Sequence, residues 1–333
     1  MNDALLLSRL DLEATLDFPS TMEALSDAFQ AEHRREWDTP KRIAAHTKAG
    51  GLLAMPCGGG APEALGAKLV STFPGNGALG LPSVSGLYAL FDPKTGLPVA
   101  VMDGGYLTLV RTAAVSALAT RRLSRRDART LGILGAGAQA EFHARFIATV
   151  RPIDRVLVWA RDGSRARALL AALQKDESLR QVTTWTVCSE PHDPSACDVV
   201  VTATAAAKPV LEGRWLSAGS HVNSIGAHTR STREIDATAV SRAAVLAVET
   251  VGTLAEAGDF QMAHEELGGV LERVVTLSAL LDPAAPPEPR ESRDPSAITI
   301  FKSCGVAFED LAVASLAFAR AQAKGIGSRF RFA

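Results

Sequence analysis

From about residue 127 onward, short apolar runs rich in β-branched residues alternate with amphipathic stretches. Parallel strands are covered on both faces, so they form continuous apolar runs, and helices lie between them. The alternation therefore predicts a doubly wound α/β sheet with the following elements. The strands are residues 130–135, 154–160, 182–187, 198–204, 220–226 and 243–249, and the first two helices are residues 138–150 and 164–174.

The first 120 residues or so show a different pattern, typical of an antiparallel sheet with helices. Two apolar runs, residues 85–92 and 97–103, are joined by a short turn that contains Gly96, which predicts a β-hairpin. Further elements are a strand at residues 65–73, helices at 21–37 and 106–123, and, near the C-terminus, a strand at 298–305 and a helix at 306–325. The proline-rich segment 281–297 is predicted to be a surface loop.

Composition and charge exclude several classes of function. The 333 residues carry 35 Lys plus Arg against 36 Asp plus Glu, so nucleic acid and anionic membranes are not expected partners. No apolar run reaches the roughly 18 residues of a membrane span, and the N-terminus lacks the basic start of a signal peptide. We expect a cytoplasmic protein with reduced thiols. The cysteines fit no common zinc spacing, so no metal is predicted.

A glycine-rich turn follows the first strand of the predicted parallel sheet. Gly135, Gly137 and Ala140 form a G-x-G-x-x-A sequence between a strand and a helix, the context that a dinucleotide-binding loop requires. The first glycine permits the tight turn, and the second lets the backbone approach a pyrophosphate at the helix N-terminus. The predicted cofactor contacts in this loop are Gly135, Ala136, Gly137, Ala138 and Gln139.

The end of the second strand predicts which nicotinamide cofactor binds. Dehydrogenases that use NAD usually place an acid there for the ribose hydroxyls. This chain has Arg161, with Arg165 four residues later, and guanidinium groups favour a 2′-phosphate. NADPH is therefore the predicted cofactor, while Asp162 keeps NADH possible.

Three cations in the first part of the chain suggest an anion site. Lys68 interrupts an otherwise apolar strand, and burying a charge is unfavourable unless it is paired. Arg111 lies near a helix start, and Arg42 precedes a short apolar run. Together they could grip a carboxylate, with arginine able to do so through two hydrogen bonds, but spacing alone does not show that they converge.

Five segments, in order along nearly the whole chain, resemble the ornithine cyclodeaminase and mu-crystallin family. These segments are GAKLVSTFPGN (66–76), LPSVSGLYALFDPKTGLPVAVMDGGYLTLVRTAAVSALA (81–119), LGILGAGAQAEFH (131–143), VNSIGAH (222–228) and ITIFKSCGVAFED (298–310).

The resemblance implies a Rossmann domain, residues 123–305, and a discontinuous antiparallel α+β domain, residues 1–122 and 306–333, that binds substrate and forms a homodimer. It also implies that Arg42, Lys68 and Arg111 hold the substrate carboxylate. Ser83 falls at a family position near the ligand, and Thr202 and Thr204 fall where the family lines the cofactor.

One position departs from the cyclodeaminases and alanine dehydrogenases that this family contains. Where those enzymes have an aspartate that pairs with the substrate amine, this chain has His228. A histidine does not supply a fixed negative charge for an ammonium group, but it can deliver a proton to an imine nitrogen. The alternative is that His228 caps the following helix or contacts the cofactor.

The sequence therefore predicts an NAD(P)H-dependent reductase of cyclic imino acids, closest in type to the ketimine and Δ1-pyrroline-2-carboxylate reductases. The expected reaction converts Δ1-pyrroline-2-carboxylate to L-proline or Δ1-piperideine-2-carboxylate to L-pipecolate, with Lys68 or His228 as proton donor. Alternatives within the family are ornithine cyclodeaminase and amino-acid dehydrogenase. An alternative of another class is a non-catalytic NADP or small-ligand binding protein like mu-crystallin.

Overall fold

The computed structural model describes residues 3–285 and 294–332. Its strands are β1 (Asp3–Leu7), β2 (Trp37–Asp38), β3 (Ile43–His46), β4 (Gly51–Gly59), β5 (Ala64–Thr72), β6 (Val84–Phe91), β7 (Pro98–Asp103), β8 (Thr130–Leu134), β9 (Arg155–Trp159), β10 (Thr184–Val187), β11 (Val199–Thr202), β12 (His221–Ser224), β13 (Ala243–Val248), β14 (Val274–Thr276), β15 (Ile298–Lys302) and β16 (Ser328–Arg331). Its α-helices are α1 (Arg9–Thr15), α2 (Phe18–His33), α3 (Gly104–Leu123), α4 (Ala138–Val150), α5 (Gly163–Leu173), α6 (His192–Ser195), α7 (Ala237–Arg242), α8 (Gly258–Leu267), α9 (Leu277–Leu280) and α10 (Ala307–Lys324).

The chain divides into two compact units, one formed by Met1–Arg111 with Val306–Ala333 and the other by Thr112–Gly305. Sequence analysis put the boundary after residue 122, at the end of α3, whereas the structure divides this helix near its middle. The second half of α3 packs on the parallel sheet, where the Asn223 side-chain amide donates to Thr120 Oγ1 at 2.9 Å. Helix α3 therefore contributes residues to both units.

The second unit is a doubly wound parallel sheet, as predicted. Its strand order is β10-β9-β8-β11-β12-β15-β13-β14, and every pair is parallel. The order reverses between β8 and β11, so the crevice outside their carboxyl ends is the expected ligand position of such a fold.

Apolar side chains cover both faces of this sheet. In β11, Val199 and Val201 pack into one cluster with α4 and α5, while Val200 packs into the other with α7 and α8. This burial on two sides explains why the strands form continuous apolar runs in the sequence.

The first unit is built on the sheet β16-β1-β7-β6-β5-β4-β2, with β3 also paired to β4. Its pairs are antiparallel except β1 with β7, and β6 and β7 form the predicted hairpin. Helix α10 packs on β4, β5 and β6. Sequence analysis missed β1, β2, β3, β4 and β16.

The predictions of a proline-rich surface loop and of no membrane span can be compared with the structure. Residues 286–293 of the predicted loop 281–297 lie outside the described residues, and the rest of that segment holds only turns and bends. In the described part of the chain, no helix has both the length and the apolarity needed to cross a bilayer.

Candidate active site

Lys68 and Arg111 come together in the first unit, and each meets a carboxylate from α10. Lys68 Nζ lies 2.7 Å from Asp310 Oδ2, and an Arg111 terminal guanidinium nitrogen lies 2.7 Å from Glu309 Oε2. Arg111 Nε also lies 3.4 Å from Asp310 Oδ1. All four side chains are buried. Two of the three predicted cations, Lys68 and Arg111, are therefore brought together, in a group of two cations and two anions.

The register of the sheet explains why Lys68 points inward. Met55, Lys68, Tyr88 and Met102 are paired in one row across β4, β5, β6 and β7, and all are buried. Side chains opposite each other in adjacent strands share one face of a sheet. That face is the one that α10 covers, so Lys68 replaces what would otherwise be an apolar side chain beneath the helix.

Burial changes the proton affinity of Lys68. The pKa of Lys68 falls to about 8, mainly because the ammonium group is removed from water and partly because the Arg111 guanidinium is near, while Asp310 and Glu309 oppose this shift. A lysine that titrates close to neutral pH can act as a proton donor at physiological pH.

Two other predicted substrate contacts lie at the edges of this unit. Arg42 is half-buried and directly precedes β3. Continuing the β3–β4 register by one residue aligns it with Met55, in the row that contains Lys68. Two strand spacings, about 10 Å, then separate the two backbones. Ser83 is exposed in the loop before β6, and its carbonyl accepts a hydrogen bond from Phe73 N–H at 2.8 Å.

The carboxylates of Glu309 and Asp310 are functional candidates that sequence analysis missed. Two adjacent acids lie in the first turn of an otherwise apolar helix. A helix N-terminus favours negative charge, so the acids have an ordinary explanation from the sequence alone. The signal that could have identified them is the buried lysine, because a buried cation requires a partner.

In the second unit, the dinucleotide loop follows β8 as predicted. Gly135 has φ of 126°, and a Cβ there would lie 2.3 Å from the carbonyl oxygen of Ala203, so only glycine fits. Gly137 has an ordinary φ of −99°, and its Cβ would meet no heavy atom within 4 Å. Nothing in the described protein requires glycine at 137, which fits a loop that leaves space for a pyrophosphate.

The N-terminus of α4 has the features of a phosphate site. Its N-cap residue is Gly137, and no side chain caps the helix. Ala136 and Gln139 are half-buried, and Ala138 is exposed. The first N–H groups of a helix have no acceptor within the helix, and together with the helix dipole they favour an anion. The residues present therefore fit the pyrophosphate of a dinucleotide.

A buried histidine that sequence analysis did not single out supports this turn. His143 Nδ1 donates to the carbonyl of Gln139 at 2.7 Å, since that oxygen can only accept, and Nε2 accepts from the Ser116 hydroxyl at 2.9 Å. Burial lowers the pKa of His143 to about 4. It is therefore a neutral link between α3 and α4 within the second unit.

Arg161 and Arg165 are both exposed after β9. Asp162, the residue that kept NADH possible, is the N-cap of α5, and its carboxylate accepts from Ser164 N–H at 2.9 Å. These hydrogen bonds to Ser164 lower the pKa of Asp162. Because this carboxylate already caps a helix, it is less suited to binding ribose hydroxyls.

Thr202 and Thr204 share a buried carboxylate that sequence analysis missed. Glu234 accepts hydrogen bonds from both hydroxyls, at 2.9 and 2.7 Å, and from the backbone N–H groups of Thr204 and Gly226. Glu234 thereby ties together the carboxyl ends of β11 and β12. Thr202 is fully buried, which disfavours direct contact with a cofactor, whereas Thr204 is half-buried.

His228 is exposed in the loop after β12, and its Nδ1 lies 3.0 Å from the Gly226 carbonyl oxygen. The alternative role as a helix cap is wrong, because the next helix is α7, which has Asp236 as its N-cap. Among the described residues, no group of three or more His, Cys, Asp or Glu side chains is arranged to hold a metal ion.

Comparison with known proteins identifies the family. The model of the ornithine cyclodeaminase/mu-crystallin family matches residues 2–325. The chain belongs to this family.

Its relatives include reductases and dehydrogenases. The chain is 34% identical over 281 residues to a Δ1-pyrroline-2-carboxylate reductase of Bacillus cereus, covering 84% of each protein. It is 30% identical over 331 residues to an alanine dehydrogenase of Archaeoglobus fulgidus, covering 99% of each. The family member described here is thus related to oxidoreductases that act on different substrates.

Solved structures similar to this chain also include a reductase and a dehydrogenase. The Thermococcus litoralis Δ1-pyrroline-2-carboxylate reductase in complex with NADH and L-proline is 32% identical, with a TM-score of 0.91 over 97% of this chain and 99% of that one. An archaeal alanine dehydrogenase dimer with bound NAD is 28% identical, with a TM-score of 0.90 over 99% of this chain and 100% of that one.

We predict that Gly137→Ala keeps the fold but weakens nicotinamide dinucleotide binding about tenfold or more, because the added methyl group occupies the space that a pyrophosphate approaches. Fluorescence titration with NADH and NADPH measures the affinity, and thermal unfolding measures the fold. Gly252→Ala is the control, since a Cβ there meets only ordinary contacts, the nearest at 3.5 Å. Equal affinities of the two variants would show that Gly137 does not face the cofactor.

Proposed function

We propose that this protein is a nicotinamide-dependent reductase of cyclic imino acids, with Δ1-pyrroline-2-carboxylate as first substrate and the six-membered Δ1-piperideine-2-carboxylate as second. The observation that carries the proposal is the buried pair Lys68 and Arg111, two cations brought together in a chain that also has a dinucleotide loop. Relatives that reduce Δ1-pyrroline-2-carboxylate, at 34% and 32% identity, support this choice.

The geometry suits an acid whose carboxylate is next to a C=N bond. Arg111 and Lys68 offer a guanidinium and an ammonium group for the carboxylate, with Arg42 as the proposed third contact. In a planar α-imino acid the ring nitrogen lies beside the carboxylate oxygens. A cation that holds the carboxylate is therefore close enough to protonate the nitrogen. We assign this proton transfer to Lys68.

The reaction needs a hydride on the imine carbon and a proton on the nitrogen. A bound NADPH or NADH would supply the hydride. The C=N π electrons become the nitrogen lone pair, which takes the proton from the Lys68 ammonium, and water then reprotonates the lysine. The protein holds the acid in one orientation, which accounts for much of the rate increase in reactions of this kind.

His228 supports reduction over amine oxidation. Oxidation of an ammonium substrate is helped by a fixed carboxylate, and this exposed imidazole does not provide one. Its Nδ1 faces the Gly226 carbonyl, so Nε2 is the nitrogen that remains for a ligand. We propose that His228 is the second candidate for proton transfer.

The function is tested by a substrate panel on the purified protein. We expect oxidation of NADPH or NADH with pyrroline and piperideine carboxylates, and at least about a hundredfold lower kcat/KM for pyruvate with ammonium. Release of ammonia and proline from L-ornithine without added NADPH would instead identify a cyclodeaminase. No turnover of any substrate, with cofactor still bound, would favour a non-catalytic binding protein.

We propose NADPH as the preferred cofactor, since Arg161 is exposed beyond β9 and Asp162 is occupied as a helix cap. We predict that Arg161→Ala weakens NADPH binding about tenfold or more and NADH binding much less, because a charge-assisted bond to the 2′-phosphate is lost. Titration of both cofactors measures this. Arg167→Ala, at an exposed position on α5, is the control, and equal losses for the two cofactors would contradict the assignment.

We also propose a homodimer that covers the open face of the first unit's sheet. On this face Ile43, Leu69 and Leu87 lie in one row across β3, β5 and β6, and all three are exposed. Contiguous exposed apolar surface of this kind marks a protein interface. The related archaeal alanine dehydrogenase is a dimer.

We predict that Leu69→Glu reduces the mass measured by light scattering from two copies to one copy of 35.0 kDa. A charge placed in a desolvated interface without a partner disfavours association. Leu10→Glu is the control, because Leu10 is 74% exposed on α1 and outside this row. A Leu69→Glu protein that remains dimeric would place the interface elsewhere.

A further inference from the structure

Asp310 lies between the two buried cations of the first unit. One carboxylate oxygen is 2.7 Å from Lys68 Nζ, and the other is 3.4 Å from Arg111 Nε. Asp310 has no exposed surface. Glu309, the neighbouring acid, makes its short contact with Arg111 instead, at 2.7 Å.

We propose that Asp310 is a positioning residue that holds the Lys68 ammonium group in place and keeps it protonated, so that Lys68 can donate a proton to the imine nitrogen. This inference rests on the proposed reductase function and extends it to a residue of α10. Asp310 acts through Lys68 and is not itself assigned a contact with substrate.

The contacts of Lys68 support this role. Within the part of the chain that the structure describes, the acceptors for Lys68 Nζ are Asp310 Oδ2 at 2.7 Å and Thr108 Oγ1 at 3.5 Å, the latter at the limit of a hydrogen bond. An ammonium group has three donors. Asp310 therefore fixes one strong bond and sets the direction of the other N–H groups.

The charges around Lys68 explain why Asp310 is needed. Burial and Arg111 both favour the neutral amine, whereas Asp310 and Glu309 favour the ammonium. From the sheet, Tyr88 on β6 and Cys57 on β4 face the same carboxylate. Burial raises the pKa of Cys57 to about 12 and that of Tyr88 well above its usual value, so neither supplies a charge at neutral pH.

Glu309 provides the matched comparison. It belongs to the same turn of α10 and is equally buried, but its short ion pair is with Arg111. Loss of the Glu309 charge should therefore act mainly on carboxylate binding. Loss of the Asp310 charge should act on the protonation of Lys68. The two variants remove one negative charge each from the same cluster and differ in which cation they affect.

The test is the pH dependence of kcat/KM for Δ1-pyrroline-2-carboxylate in the wild type, Asp310→Asn, Asp310→Glu and Glu309→Gln. A proton donor must be protonated, so activity falls as pH rises through its pKa. Asp310→Asn removes a charge that raises this pKa, and the alkaline limb should move to lower pH by about one unit or more. Asp310→Glu should restore the limb, and Glu309→Gln should raise KM with a smaller displacement.

A merely structural role would reduce activity or thermal stability without moving the limb, and an unmoved limb in folded Asp310→Asn would overturn the inference. If Asp310→Asn does not fold, Lys68→Arg tests the premise on which the inference depends, that Lys68 is the proton donor. Guanidinium does not titrate in this range, so the limb should disappear, and its persistence would show that Lys68 is not the donor. No imine reduction by the wild type would overturn the proposed function itself, an outcome distinct from wild-type turnover with an unmoved limb.

Discussion

The first unit depends on the neutralisation of two buried cations. Lys68 lies in a row of apolar side chains beneath α10, and an unpaired ammonium group there would be strongly destabilising. Asp310 and Glu309 solve this by placing two carboxylates of one helix turn against Lys68 and Arg111. The sheet, α3 and α10 are thereby joined at one buried cluster of ion pairs.

A cluster with two positive and two negative charges differs from the purely cationic cradle that the sequence suggested. Because these charges balance, the proposed binding of a substrate carboxylate would depend on individual hydrogen-bond donors and on Arg42, rather than on a large positive field. The same cluster sets the proton affinity of Lys68 through opposing effects. Burial lowers its pKa to about 8, and the carboxylates limit that decrease.

In the second unit, the dinucleotide loop and the loops at the carboxyl edge of the sheet are shaped by backbone geometry and by one buried carboxylate. Gly135 allows the chain to turn tightly against Ala203, and Gly137 leaves open space at the start of α4. Glu234 joins the loops after β11 and β12 through Thr202, Thr204 and Gly226. The loops at the carboxyl edge of the sheet are therefore fixed by contacts within the protein.

Much of the fold and part of the candidate site could be predicted from the sequence, because these features follow from local patterns. The strands of the parallel sheet are apolar runs, the dinucleotide loop has a characteristic spacing, and Lys68 is a charge in an apolar strand. The partners of Lys68 were not predictable, because Asp310 is 242 residues away along the chain and its position in a helix start has an ordinary explanation. Strands β1 and β16 were missed because each is short and defined only by its pairing, and Glu234 resembles any loop acid until its hydrogen bonds are seen.

The central claim is that Lys68 and Arg111 hold the carboxylate of a planar imino acid. A crystal structure of the protein with NADH and pyrrole-2-carboxylate, an unreactive planar analogue, tests it most directly. We expect the analogue's carboxylate within hydrogen-bond distance of Lys68 Nζ and the Arg111 guanidinium group, with Asp310 still bonded to Lys68. A carboxylate bound away from both cations would contradict the account.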